Sequence, residues 1–397
     1  MLKRRLSLLA LLAAFILVVA ACGDDDATTT TTAAPATTAA PATTAAPATT
    51  AAPATTAAPV VTAAPAATAV KTCLVTDLAG VDDRSFNASA WQGVQDAMAA
   101  GFATEDSFFL ESSDASDWQP NINQMISQGC EHIVTVGFAL GEVTAINAQD
   151  FDHITWTMID NVLTDETFAP LGLPNVRELV YQTDEAAFAA GYLAAGVSTS
   201  GVLCTYGGAN FPTVAIFMDG FTRGAAHYND IKGTDVSVIG WDSEARDGVF
   251  TGSFTDMGLA RTTAESMFQE GCDVIIPVGG AINLPAGDAI NDLGLDAALV
   301  GVDADAFFAM DAQYQDLWLT TVEKAIAPFI TLAVQDQVEG NWTPGAFLGT
   351  LANGGVGLSD YHAWDDRVSA ELRAEVAQLL LDIADGTITA AFTAVGY

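Results

Sequence analysis

The sequence predicts an α/β protein of two similar halves, each built on a parallel sheet, facing one another across a cleft. Three observations predict it. From Lys71 onward, short runs rich in Val, Ile and Leu alternate with helical stretches, which is the pattern of a parallel sheet. The segment Gln128-Gly129-Cys130-Glu131-His132-Ile133-Val134 is echoed by Glu270-Gly271-Cys272-Asp273-Val274-Ile275-Ile276, and the two run on into Val136-Gly137 and Val278-Gly279. Three of the expected strands end in aspartate, at Asp77, Asp160 and Asp303.

In chain order, the first half offers strands at Cys73–Asp77, Phe108–Glu111, Ile133–Gly137, Ile154–Ile159 and Leu179–Gln182. Helices are expected from about Asn87 to Ala100 and near Pro120–Gln128. A helix of small residues, Ala186 to Ala195, leads into the second half. Strands follow there at Val202–Tyr206, Val236–Trp241, Val274–Val278 and Leu299–Val302, with helices at about Val214–Tyr228 and Met257–Gln269. The expected organisation is a first lobe over 70–185, with about 320–350 crossing back to it, and a second lobe over 186–319 with about 351–397.

Residues 1–22 read as a secretory signal: basic Lys3, Arg4 and Arg5, an apolar run from Leu6 to Val19, then Val19-Ala20-Ala21-Cys22. The apolar run, roughly 15 residues, is short for a bilayer span. A cysteine after small residues resembles a bacterial lipobox, which implies lipidation of Cys22 and anchorage on the extracytoplasmic face of the cell membrane. An ordinary signal peptide with an incidental cysteine is the alternative. Residues 23–69 read as a tether of Asp, Thr, Ala and Pro, with Pro35, Pro41, Pro47, Pro53 and Pro59 evenly spaced. Lacking Leu, Ile and aromatic residues, it cannot bury enough surface to offset chain entropy. In polyproline II form it would reach on the order of 100 Å.

The formal net charge of −36 argues against nucleic acid and anionic lipid surfaces as partners. Beyond Cys22 there are four cysteines. Cys73 opens one expected strand and Cys130 precedes another, and Cys204 and Cys272 take the equivalent places in the second half. Neighbouring parallel strands bring such starts together, so the expected disulfides are Cys73–Cys130 and Cys204–Cys272, with free buried thiols as the alternative. No Gly-Lys phosphate loop, His-Glu-x-x-His or Gly-x-Ser-x-Gly occurs, and His132, His153, His227 and His362 lack metal-ligand spacing. The expectation is therefore a binding protein, not an enzyme, with no metal and no cofactor.

In parallel α/β sheets ligands sit beyond the carboxyl ends of the strands. Asp77, Asp160 and Asp303 would there accept hydrogen bonds from ligand hydroxyl or amine groups; the alternative is that each caps a following helix.

The stretch Asp77-Leu78-Ala79-Gly80-Val81-Asp82-Asp83-Arg84-Ser85-Phe86-Asn87, with Ser89-Ala90-Trp91-Gln92-Gly93, resembles the first motif of the basic membrane protein (BMP) family. These are lipoprotein substrate-binding proteins of ABC transporters and include purine nucleoside receptors. Ala190-Gly191-Tyr192-Leu193-Ala194-Ala195, Phe217-Met218-Asp219-Gly220-Phe221, Gly301-Val302-Asp303-Ala304-Asp305 and Leu319-Thr320-Thr321-Val322-Glu323-Lys324 extend the resemblance in order. It implies a type I periplasmic-binding fold with three crossovers, a small-molecule ligand, a purine nucleoside, and an ABC permease as partner. It also implies the base held between Phe86 and Phe217, with Asp77, Asp160, Gly280, Asp303 and Lys324 completing the site. The plainer readings are core packing for Phe86 and Phe217 and a hinge ion pair for Lys324. Ala79 replaces the family's usual glycine, and Gly279-Gly280-Ala281-Ile282-Asn283 departs from its usual turn. Both changes fall near the pocket. A receptor or sensor for a sugar, autoinducer or amino acid on the same fold is the alternative function.

Overall fold

The computed structural model describes residues 68–390; the expected signal, Cys22, nearly all of the tether and the last seven residues lie outside them. The first half runs β1 (Thr72–Val75), α1 (Phe86–Ala99), β2 (Phe108–Leu110), α2 (Trp118–Ser127), β3 (His132–Val136), α3 (Gly141–Asp150), β4 (Thr155–Ile159) and β5 (Val176–Tyr181). Helix α4 (Thr183–Val197) carries the chain across to β6 (Val202–Gly207), α5 (Pro212–Lys232), β7 (Ser237–Ile239) and the small hairpin β8 (Trp241–Asp242) and β9 (Asp247–Gly248). Then come α6 (Met257–Gln269), β10 (Val274–Val278), α7 (Asn283–Leu293), β11 (Ala298–Asp303), α8 (Ala306–Ala309) and β12 (Trp318–Lys324). Helix α9 (Ile326–Glu339), β13 (Gly345–Gly349), β14 (Val356–Leu358) and α10 (Ala370–Ala384) complete the described chain.

Two six-stranded sheets result, ordered β13-β5-β4-β3-β1-β2 and β14-β12-β11-β10-β6-β7. All pairings are parallel except β12 with β14, which is antiparallel. The chain passes between the sheets three times: from β5 through α4, from β12 through α9 to β13, and from β13 to β14. This is the expected two-lobed architecture. The strand order repeats, so that β1, β3 and β4 correspond to β6, β10 and β11.

Why these segments pair is visible in their burial. Strands β1, β3 and β10 are buried along their whole length, as strands covered on both faces by helices must be. Helix α9 packs on α1 and so returns the chain to the first lobe. Both expected disulfides are present, Cys73–Cys130 joining the starts of β1 and β3, and Cys204–Cys272 those of β6 and β10.

Strands β12, β13 and β14 and helices α9 and α10 were not among the expected elements, and one expected strand ends early. The run Val236–Trp241 is strand only over Ser237–Ile239, because Gly240 turns the chain at φ 96° and leaves Trp241 to open the hairpin. A Cβ at Gly240 would lie 1.9 Å from the carbonyl oxygen of Thr205, so only glycine allows that approach. Helices α3 and α7 were not legible in the sequence. The segment Gly141–Asp150 lacks an apolar stripe strong enough to announce a helix, whereas Asn283–Leu293 has one but is interrupted by Pro285 and Gly287. Among the described residues no helix is long and apolar enough to cross a membrane.

Candidate functional site

The carboxyl ends of the two sheets face each other around a cavity of about 250 Å³, near the lower end, roughly 300 Å³, of small-molecule pockets. Asp77, Phe86, Asp160, Phe217, Gly280, Asp303 and Lys324 all line it. The structure therefore brings together every residue singled out for the site in the sequence. It also shows what each touches.

At the centre is Lys324, the last residue of β12, whose buried ammonium lies 2.7 Å from Asp160 Oδ2 and 3.5 Å from Asp303 Oδ1. Asp160 directly follows β4 and Asp303 is the last residue of the equivalent strand β11, and both are left-handed, with φ of 64° and 70°. A non-glycine residue held there is unusual, and such conformations persist only where surrounding contacts over-determine them. The ring of Phe86 lies 5.0 Å from the same ammonium, that of Phe217 5.1 Å and that of Tyr181 5.6 Å. Phe86 and Phe217 thus flank the lysine, where the cation meets the negative faces of the rings.

Asp77 is held differently. Its Oδ1 accepts from the Ala79 amide at 3.0 Å and from Asn87 Nδ2 at 2.8 Å. Its Oδ2 lies close against Gly137, which lines the cavity with it. Asp83 caps α1: its carboxylate accepts from the amides of Ser85, Asn87 and Ala88 and from Asn87 Nδ2. None of Asp77, Asp160 and Asp303 caps a helix in this way.

The charge balance is acidic. Asp77, Asp83, Asp160 and Asp303 line the cavity with one lysine, which two of them already engage. Desolvation pushes the Asp77 carboxyl up to about 6, against the hydrogen bonds from Ala79 and Asn87 and with help from the charges of Asp83 and Asp303. Burial likewise raises Asp160 and Asp303. Burial alone would lower Lys324, but the two aspartates beside it outweigh that and hold it above its ordinary value, so it stays charged.

The lobes meet directly. Ser85 Oγ, from the first lobe, lies 3.0 Å from both Asp303 Oδ2 and the Val302 carbonyl oxygen of the second. Arg84 pairs with Asp311 at 2.6 Å, and the rings of Phe138 and Phe211 pack at 5.4 Å between centroids.

Sequence reasoning missed the apolar part of the wall, formed by Trp118, Phe138, Phe211 and Phe254. The internal echo held the signal for three of them. Phe138 follows Val136-Gly137 as Gly280 follows Val278-Gly279. Phe211 directly precedes the first helix after β6, much as Phe86 opens the first helix after β1, whereas Phe217 lies further along α5 and is only 2% exposed. Trp118 opens α2, the helix after the second strand of the first half, and Phe254 shortly precedes α6, the corresponding helix of the second half. Phe254 follows an irregular hairpin, which left no periodic pattern to place it by.

Residues 70–382 match the family described as ABC transporter substrate-binding protein, PnrA-like. The nucleoside-binding protein BmpA of an ABC transporter from Lactococcus lactis is 27% identical over 340 residues, covering 81% of this chain and 88% of that one. Basic membrane protein B of Borreliella burgdorferi is 26% identical over 291 residues, covering 72% of this chain and 80% of its own length. In fold, the chain is similar to an ABC transporter solute-binding protein from Aeropyrum pernix, with a TM-score of 0.70 at 23% identity, covering 81% of this chain and 92% of that one. A match that spans both lobes, together with two facing sheets around a shared cavity, has one consequence: the chain belongs to the Bmp family of PnrA-like ABC transporter substrate-binding proteins.

Proposed function

We propose that the cavity binds a purine nucleoside and that the closed protein delivers it to an ABC permease without chemical change. The observation that carries this reading is the cavity's division into two unlike parts. One is acidic, with Asp160, Asp303 and Lys324, and suits vicinal hydroxyls, because hydrogen bonds to ionised groups are the stronger kind. The other is aromatic, with Phe86, Phe138, Phe211 and Phe254, and suits a flat base. Asp77 Oδ2 supplies an acceptor for a ring N–H. In this reading Phe217 is the floor beneath Lys324, and Gly280 lets the second lobe come close.

Charge argues against the competitors. A nucleotide brings net negative charge into a site with four carboxylates and one lysine already engaged, and the carboxylate of an amino acid finds no free cation among the lining residues. A free sugar leaves the aromatic part unfilled. The name of the Lactococcus relative points the same way. We further propose that Cys22 carries the lipid anchor, that residues 23–69 form the tether, and that the lobes divide near 185 and again at about 320 and about 350.

Thermal unfolding against a panel of nucleosides, nucleotides, bases, sugars and amino acids tests the reading. Ligand at 100 times its dissociation constant adds about 2.7 kcal/mol. Inosine, guanosine or adenosine is expected to raise the melting temperature, with ribose and the 5′-monophosphates inert. Phe86→Ala and Asp303→Ala are expected to abolish the shift. A shift with an amino acid or a free sugar and none with any nucleoside would reject the proposal.

A further inference from the structure

Ser85 stands at the N-cap of α1, where a serine hydroxyl ordinarily accepts a bond from the helix's first amides. Here it makes no such bond, because Asp83 already accepts from the amides of Asn87 and Ala88. The hydroxyl is turned instead across the cleft, 3.0 Å from Asp303 Oδ2 and 3.0 Å from the Val302 carbonyl oxygen. It has one proton for two acceptors, and a carboxylate is the stronger. Asp303's oxygens are thereby divided, Oδ2 to Ser85 of the facing lobe and Oδ1 to Lys324 of its own.

The turn around Ser85 is built for this contact. The Ser85 amide donates to Asp83 Oδ1 at 3.0 Å, which fixes the serine relative to α1. Arg84 is held left-handed at φ 55°, and its guanidinium reaches Asp311 on the second lobe. Gly280 packs beside the same turn, where a Cβ would be in ordinary van der Waals contact with Ser85 Cβ at 3.5 Å. Apart from the Ser85–Asp83 bond, which lies within the turn, these contacts join the β1–α1 turn to the second lobe: to Val302 and Asp303 on β11, to Gly280 and to Asp311. The interlobe contacts are lost together when the lobes part.

We propose that Asp83-Arg84-Ser85 is an interlobe clasp in which Ser85 is a positioning residue: it aims the Asp303 carboxylate, so that the acidic part of the site is complete only in the closed protein. The ligand arm of the test rests on the nucleoside reading; the conformational arm does not.

In the full chain, two spectroscopic labels on non-canonical residues, one per lobe, spare the disulfides and report the interlobe distance without ligand. Ser85→Ala and Arg84→Ala are each expected to shift the distance distribution toward open forms. In the second arm, inosine binding is followed by stopped flow. Loss of a hydrogen bond to a charged group corresponds to about a tenfold to hundredfold weakening. Ser85→Ala is expected to show it as faster dissociation with little change in association, and Ser85→Thr, which keeps the hydroxyl, to recover part. Distances unchanged in Arg84→Ala and Ser85→Ala overturn the clasp, as does wild-type dissociation from Ser85→Ala. Should no nucleoside bind the wild type, the functional reading fails and the distance arm alone decides on the clasp. Should Ser85→Ala not fold, Arg84→Ala, whose side chain is 43% exposed, decides it.

Discussion

At His132, fully buried on β3, Nδ1 donates to Gln337 Oε1 at 2.5 Å and Nε2 accepts from Thr157 Oγ1 at 2.8 Å, so both ring nitrogens are satisfied in the neutral form. Desolvation drives its pKa down to about 4, and Arg177 adds to the effect. Because the folded value lies below the unfolded one, this stability is present above about pH 6.5 and lost as pH falls toward 4. Asp77 acts in the opposite sense. Its folded pKa is raised, so folding is favoured at low pH and weakens as pH rises from about 4 through 6. Urea unfolding of two variants separates them. His132→Gln is expected to flatten the loss of stability between pH 6.5 and 4. Asp77→Asn, which keeps an acceptor for Ala79, is expected to gain about 1–3 kcal/mol at pH 7.5 and nothing at pH 4, and to bind nucleoside less tightly. A destabilised Asp77→Asn at pH 7.5 contradicts the assignment.

Between elements, the closest packing is that of α4 on α5. A Cβ on Gly191 would fall 1.9 Å from the Phe221 carbonyl oxygen, and one on Gly224 1.8 Å from that of Phe188. The helices therefore touch backbone to backbone, which explains the small-residue run from Ala186 to Ala195 better than helix propensity does. Since carbonyl oxygens cannot swing aside as side chains can, Gly191→Ala and Gly224→Ala must push the helices apart. Each is expected to cost about 2–4 kcal/mol, or to prevent folding, as read by circular dichroism melts. Wild-type melting of both variants refutes that packing. Each sheet also carries one disulfide at the start of its central strands. Cys73–Cys130 closes 57 residues. On the chain-entropy account its removal in Cys73→Ser/Cys130→Ser lowers stability by about 4 kcal/mol, measured against the oxidised wild type. The first lobe is expected to respond before the second.

For the whole molecule, a formal charge of −36 means that carboxylates repel one another across the surface at low ionic strength. Raising salt from about 20 mM to about 500 mM shortens the screening length severalfold and is expected to raise the melting temperature. A flat or falling salt profile excludes self-repulsion as a significant load. Since the cavity is itself acidic, a neutral nucleoside is expected to bind with little salt dependence, in contrast to any charged ligand.

Most of the fold was legible from the chain alone, because strand-and-helix alternation and the repeated Gly-Cys-acid-apolar segment are local patterns. The disulfide pairing followed from them, since parallel neighbours start side by side. The aspartates at strand ends could be named for the same reason: in a parallel sheet the carboxyl end is where the chain must open into the cleft. What no local pattern carries is the distance between lobes that are contiguous in space and far apart in sequence. Only the tertiary structure decides that Lys324 meets Asp160, that Ser85 leaves its helix to Asp83 and turns to Asp303, and that Phe138, Phe211 and Phe254 join the cavity wall beside Phe86 and Phe217. Those contacts depend on how two sheets are set against each other, and burial and charge act there between residues that the sequence holds apart.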